Sequence, residues 1–98
     1  MPDLRRIALL GDLHAEDERL APALTWLKGQ AVEAVISVGD LADGHGDLDR
    51  CCDMLQGHGV LTVRGNHDRW LVADEVRGIS RAHRRADLRA PTLAFLSA

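Results

Sequence analysis

The sequence predicts an α/β fold built on a parallel βαβαβ core, and three observations carry that prediction. Short apolar runs recur at Ile7–Leu10, Ala34–Val38 and Val60–Val63. Each run leads into a glycine, at Gly11, Gly39 and Gly65. The two segments between the runs repeat their apolar residues at helical spacing. Alternation of strand and helix at this interval argues for two βαβ units and a parallel sheet with covering helices.

The first run, Ile-Ala-Leu-Leu, is continuously apolar and suits a strand buried on both faces. From Glu16 to Gln30, Leu20, Leu24 and Leu27 recur at helical spacing, with Trp26 nearby. Pro22 is compatible only with a first helical turn, so the regular helix is expected to start near Ala21 and to stop at Gly29. Ala34–Val38 is rich in β-branched residues and reads as the second strand. After a loop over 41–46, Leu48, Cys51, Cys52 and Leu55 form one apolar helix face, with Asp47 as N-cap and an end near Gln56. Val60–Val63 is the third strand. Beyond it, Trp70 to Val76 suggests a helical turn or two, and Pro91 is placed to open a last helix through Thr92, Leu93, Phe95 and Leu96.

Length and charge set the outer bounds. Ninety-eight residues make one domain at most. A chain of this size buries roughly two-thirds or less of its unfolded surface, so its stability margin is thin. Trp26, Trp70 and Phe95 are the only aromatic residues, and the core rests on aliphatic side chains. The net charge of -3 does not point to nucleic acid as a partner. From Val76 onward the balance reverses: Arg77, Arg81, Arg84, Arg85 and Arg89 face one acid, Asp87. Arg77, Arg81, Arg85 and Arg89 fall four apart, and the spacing is read first as a solvated or salt-bridged face. The adjacent Cys51 and Cys52 give no disulfide framework and fit a reducing compartment. The apolar run near the N-terminus is too short for a signal peptide or a membrane span. The expected location is the cytoplasm.

The chemistry sits at the strand ends. The first gives Gly11-Asp12-Leu13-His14, the second Gly39-Asp40-Leu41-Ala42-Asp43, the third Gly65-Asn66-His67-Asp68. In a parallel sheet these ends share one rim, where open α/β sheets bind ligands. Asp12, His14, Asp40 and Asn66 would then converge. Carboxylate, amide and imidazole donors suit divalent ions such as Mn, Fe or Zn. The glycines allow the backbone to turn sharply and approach such a site closely.

These motifs, D-x-H, G-D-x-x-D and G-N-H-[DE] in this order, resemble the calcineurin-like metallophosphoesterase family. The resemblance covers about residues 5 to 70. It implies metal-dependent hydrolysis of phosphate esters (phosphomonoester, phosphodiester or phosphoprotein) by a metal-bound water, with two divalent ions in the complete site. It implies Asp12 and His14 on the first metal, Asp40 bridging both, and Asn66 on the second metal and reaching the phosphate. His67 would assist at the leaving or non-bridging oxygen, Asp68 would orient His67, and Asp43 would support the site from behind. Arg64 and Arg69, on either side of the third motif, are the expected phosphate contacts. The family fold is a four-layer sandwich with two sheets between helices.

The family pattern continues with a lone histidine and a G-H-x-H motif, and neither is found here. The chain therefore reads as a single truncated domain over 1–98, half of that sandwich, with a sheet exposed for self-association or a partner chain. The alternative is a catalytically weak or inactive remnant serving as a metal-binding or interaction module. A nucleotide-binding or receiver-like module fits less well, since G-x-x-x-x-G-K-[ST] and G-x-G-x-x-G are both missing. Taken alone, each of Asp12 and Asp40 is most simply a loop-capping carboxylate. His45 reads as a solvated loop residue, His58 as a helix-end residue, His83 as a surface residue, and Cys51 and Cys52 as helix packing.

Overall fold

The computed structural model describes residues 6–75 and 82–97. Its elements run β1 (Ile7–Leu10), α1 (Asp17–Lys28), β2 (Ala34–Ser37), α2 (Leu48–Gly57), β3 (Leu61–Thr62), α3 (Asn66–Val72), a 3-10 turn at Arg85–Asp87, and α4 (Ala90–Ser97). The strands form one parallel sheet in the order β1-β2-β3. The result is a mixed α/β fold with a three-stranded parallel sheet.

Register decides which side chains meet the helices. Leu9, Ile36 and Leu61 lie side by side, and so do Leu10, Ser37 and Thr62. Side chains alternate along a strand, so these two rows face opposite ways. The row through Leu10 faces the helices, where Leu20 and Leu24 of α1, Leu48, Cys51, Cys52 and Leu55 of α2, Leu71 of α3 and Leu96 of α4 make the core. Full burial of one such leucine is worth about 1.5–3 kcal/mol. The row through Leu9 is bare. Leu9 is 68% exposed, Leu61 62% and Ile7 46%, and Val38 and Val63 continue the patch past the strand ends. The expectation that the first strand is buried on both faces is thus corrected. Apolar residues fall on both faces of the strand, and the described residues cover one of them.

Two helix starts also differ from expectation. α1 begins at Asp17, not near Ala21, and Pro22 lies inside it. Pro22 is exposed, so the helix loses one backbone bond at a point open to water, while the buried Leu20 and Leu24 hold its inner face. α3 begins at Asn66, four residues before Trp70. Gly65 is its N-cap, and the Asp68 carboxylate at the third helical position accepts the Gly65 N–H at 3.1 Å. α2 follows expectation: the Asp47 side chain caps it by accepting from Arg50 N at 3.0 Å.

The C-terminal residues fold back onto α2. Arg89 pairs with Asp53 at 2.5 Å, and the Thr92 hydroxyl donates to Asp49. Arg84 pairs with Asp74, and Arg85 donates to the Val72 carbonyl. Arg85 lies in the 3-10 turn and Arg89 precedes α4, so the four-residue spacing does not mark one helical stripe here. Arg77 and Arg81 lie outside the described residues. Among the described residues, no helix is long and apolar enough to cross a membrane.

Candidate metal centre

The three strand ends do share a rim. The chain leaves β1 through Asp12 and His14 and leaves β2 through Gly39 and Asp40. Asp12, His14 and Asp40 each offer a donor atom, and all three atoms lie within 4.8 Å of one another. The backbone at these positions is unusual. Asp12, His14 and Asp40 have φ of 46°, 43° and 53°, and Ala15 and Asp43 are also left-handed. Such conformations cost energy outside glycine and persist only where surrounding bonds enforce them. Those bonds are present: His14 N donates to Asp40 O at 3.0 Å and Ala15 N to Leu41 O at 2.7 Å. The loop after β1 is thereby laced to the loop after β2.

Two of the strand-end glycines are sterically required. Gly39 has φ of 100°, and a Cβ there would lie 2.5 Å from Gly65 N. A Cβ on Gly65 would lie 2.2 Å from Asp40 Oδ1. Gly11 is different, since a Cβ there would meet only Val38 at an ordinary 3.5 Å. The expectation that all three glycines serve close approach holds for two of them.

The donor chemistry fits a divalent cation. His14 Nδ1 lies 3.0 Å from both the Ala42 and Asp43 carbonyl oxygens. Carbonyls only accept, so Nδ1 carries a proton, and in the neutral ring Nε2 is the atom with the lone pair. A metal-binding histidine commonly has its other ring nitrogen tied in this way. With two carboxylates beside it, the set is one nitrogen and several hard oxygens. Asn66 opens α3 between two residues that touch Asp40: Gly65, and His67, whose N–H donates to Asp40 Oδ1 at 3.0 Å. Asn66, Arg64 and Arg69 are all exposed.

His67 and Asp68 do not form the expected pair. Asp68 is fully buried, and its Oδ1 accepts from Leu41 N and Ala42 N at 2.8 Å each. Its other oxygen takes the Gly65 N–H. This carboxylate fixes the loop after β2 against the start of α3. The partner of His67 is Asp43, whose Oδ2 lies 2.8 Å from His67 Nδ1. The reason is helical geometry: adjacent helix residues point in different directions, so Asp68 turns inward while His67 faces the rim. His67 also packs edge-on against His14 (4.9 Å between ring centroids) and Trp70 (5.0 Å).

Sequence reading missed two residues. Trp70 was assigned no part at the rim. His83, expected at the surface, is half-buried: its Nδ1 accepts the Asp43 N–H at 2.8 Å, and its own N–H donates to Asp43 Oδ1 at 2.8 Å. No local pattern around His83 announces a contact with a residue forty positions away. His45 is exposed in the loop after β2.

The sequence matches the calcineurin-like phosphoesterase family over residues 5–95. The chain belongs to that family. It is 26% identical, over 69 residues, to the uncharacterized protein MJ0912 of Methanocaldococcus jannaschii, a match covering 70% of this chain and 28% of that protein. Two solved structures share the fold. A metallophosphoesterase from Sphaerobacter thermophilus superposes with a TM-score of 0.72 at 21% identity, over 97% of this chain and 41% of that one. A protein solved as a candidate diadenosine tetraphosphatase superposes with a TM-score of 0.77 at 26% identity, over 94% of this chain and 41% of that one. The chain thus spans well under half the length of the relatives it matches. Family and donor set together mark Asp12, His14 and Asp40 as a candidate divalent-metal site of a phosphoesterase fold.

Proposed function

We propose that this domain supports metal-dependent hydrolysis of phosphate esters at the rim formed by β1, β2 and the start of α3. The observation that carries the reading is the convergence of Asp12, His14 and Asp40, with the His14 proton held on Nδ1 and Nε2 left to coordinate. Asn66, next in the chain to His67, whose N–H donates to Asp40, would supply a further oxygen donor. Divalent ions bound there neutralise phosphate charge and make water a nucleophile near neutral pH.

The remaining steps belong to the chain's own side chains. His67 has Nδ1 committed to Asp43, so Nε2 is the atom that exchanges a proton with the departing or non-bridging oxygen. Asp43 fixes the ring. Asp68 keeps the loop bearing Asp40 and Asp43 in place. Arg64 and Arg69, exposed beside the third motif, attract and orient the phosphate. The substrate is a phosphorylated small molecule or protein. The working compartment is the cytoplasm, where Cys51 and Cys52 stay reduced.

The test is turnover of p-nitrophenyl phosphate and bis(p-nitrophenyl) phosphate with added Mn2+. The protein should show metal-stimulated hydrolysis, and His67→Ala should lose about a hundredfold or more of it. Equal rates in the two proteins would refute the catalytic part. Mn2+ binding followed by electron paramagnetic resonance tests the metal part separately. Asp40→Asn should weaken it by about a hundredfold, and unchanged affinity would overturn the assigned site.

A further inference from the structure

We propose that His83 is a positioning residue that sets the orientation of the His67 imidazole by clamping Asp43; this rests on the reading of His67 given above. Asp43 is nearly inaccessible, and its side chain is 2% exposed. One carboxylate oxygen serves His67 Nδ1 and the other serves the His83 N–H, both at 2.8 Å. The Asp43 backbone N–H in turn donates to His83 Nδ1 at 2.8 Å. His83 therefore closes a two-bond ring around Asp43, one bond through its main chain and one through its imidazole.

The clamp has a task. Asp43 has φ of 69°, a left-handed conformation that a non-glycine residue leaves unless it is held. Its N–H is a donor in a buried residue, and His83 Nδ1 accepts it. The ring nitrogen of His83 holds that N–H, the held backbone aims the carboxylate, and the aimed carboxylate keeps the His67 proton on Nδ1. His83 lies beyond all three strand-end motifs. It fixes its own tautomer as well: since Nδ1 accepts, the neutral ring carries its proton on Nε2.

The residue that can replace this contact is asparagine, whose side-chain oxygen occupies nearly the place of Nδ1. Glutamine puts its oxygen one bond farther out, and alanine has none. Imidazole 15N shifts of His67 report its tautomer directly and need no turnover. At about pH 8, where an ordinary imidazole is neutral, the wild-type protein and His83→Asn should both show His67 protonated on Nδ1. His83→Gln and His83→Ala should show averaged shifts from a mixture of tautomers, and Asp43→Asn should abolish the difference His83→Ala makes. In Mn2+-dependent hydrolysis, His83→Gln should lower kcat by about tenfold with KM little changed, and His83→Asn should restore it. A pure Nδ1–H tautomer of His67 in folded His83→Gln would overturn the proposal. If no variant and no wild-type protein turns over substrate, the catalytic reading fails, and the tautomer measurement still decides the clamp.

Discussion

The rim at the strand ends and the bare face of the same sheet are built from the same three segments by opposite rules. At the rim the groups that fix the loops have partners inside the chain. Asp68 takes three backbone N–H groups, Asp43 binds two histidines, and His14 is bonded through both its N–H and its ring. On the face, Leu9, Ile36 and Leu61 lie in one row, and Leu9 and Leu61 are more than half exposed. The candidate metal site is thus organised by hydrogen bonds between loops distant in sequence. The sheet has hydrophobic cover on one side, and the apolar core lies there. Rim and core hold the fold by different means, and substitutions can tell the two apart.

The strongest break should come at Asp68. Replacing it with alanine leaves Leu41, Ala42 and Gly65 N–H groups without their acceptor in a buried place, a cost of about 3–5 kcal/mol. Urea unfolding would register this as a large fall in midpoint. Asp68→Asn keeps one acceptor oxygen and should cost roughly half as much. A loss under 1 kcal/mol for the alanine variant would show that the rim is held by something else.

The two faces of the sheet give the next contrast. Leu24→Ala empties a fully buried position and should cost about 2–4 kcal/mol. Leu61→Ser, on the bare face, should stay within about 0.5 kcal/mol. A second chain or partner seated on that face would change this result, making the Leu61 variant costly and its cost dependent on protein concentration. Unfolding at two concentrations separates the cases.

What could be read from sequence follows the same division. The strands and α2 were legible because their signals are local: apolar runs, a β-branched cluster, and Asp47 placed before a face of Leu48, Cys51, Cys52 and Leu55. That the strand ends meet at one rim followed from parallel topology alone. The start of α1 is not legible because Pro22 reads as a boundary, whereas an exposed proline costs a helix little when leucines anchor its other side. The start of α3 falls four residues before the expected Trp70, because glycine followed three residues on by aspartate is also a helix-cap pattern. The partner of His67 was assigned to its neighbour Asp68, but a helical turn sends neighbours different ways. The contacts of Asp43 with His67 and His83 span 24 and 40 residues, and no local pattern encodes them.

A smaller effect tests how the rim is tied to the helices. Asp17, at the start of α1, accepts the Asp47 N–H and the Arg50 guanidinium at 2.9 and 2.8 Å. The Asp47 N–H first, then Arg50, holds its carboxyl below the usual aspartate range. The unfolded chain therefore binds this proton at a higher pH than the folded one, and stability rises with pH between the two values. The contribution is complete above the ordinary aspartate pKa of about 3.9 and disappears as pH falls through the lower folded value. The stability gap between the wild-type protein and Asp17→Asn should be constant near neutrality and close in acid. A gap that persists unchanged in strong acid would mean that Asp17 acts through shape and not through charge.

A last small effect comes from the covered side of the sheet, where one pair departs from the rule that buried polar groups are bonded. Ser37 and Thr62 are paired in register, and neither hydroxyl has a hydrogen-bond partner among the described residues. A buried hydroxyl without a partner loses its hydration and gains nothing in return. Thr62→Val keeps the shape and the β-branch and removes the oxygen, so it should stabilise the fold by up to about 1 kcal/mol. The two hydroxyls lie on the helix side of the sheet, so the gain should leave Mn2+ binding at the rim unchanged. A destabilised Thr62→Val would reveal that its hydroxyl is bonded in solution, by water or by Ser37. Altered Mn2+ affinity would show that the rim senses packing beneath it, and the separation of site from core would fail at this point.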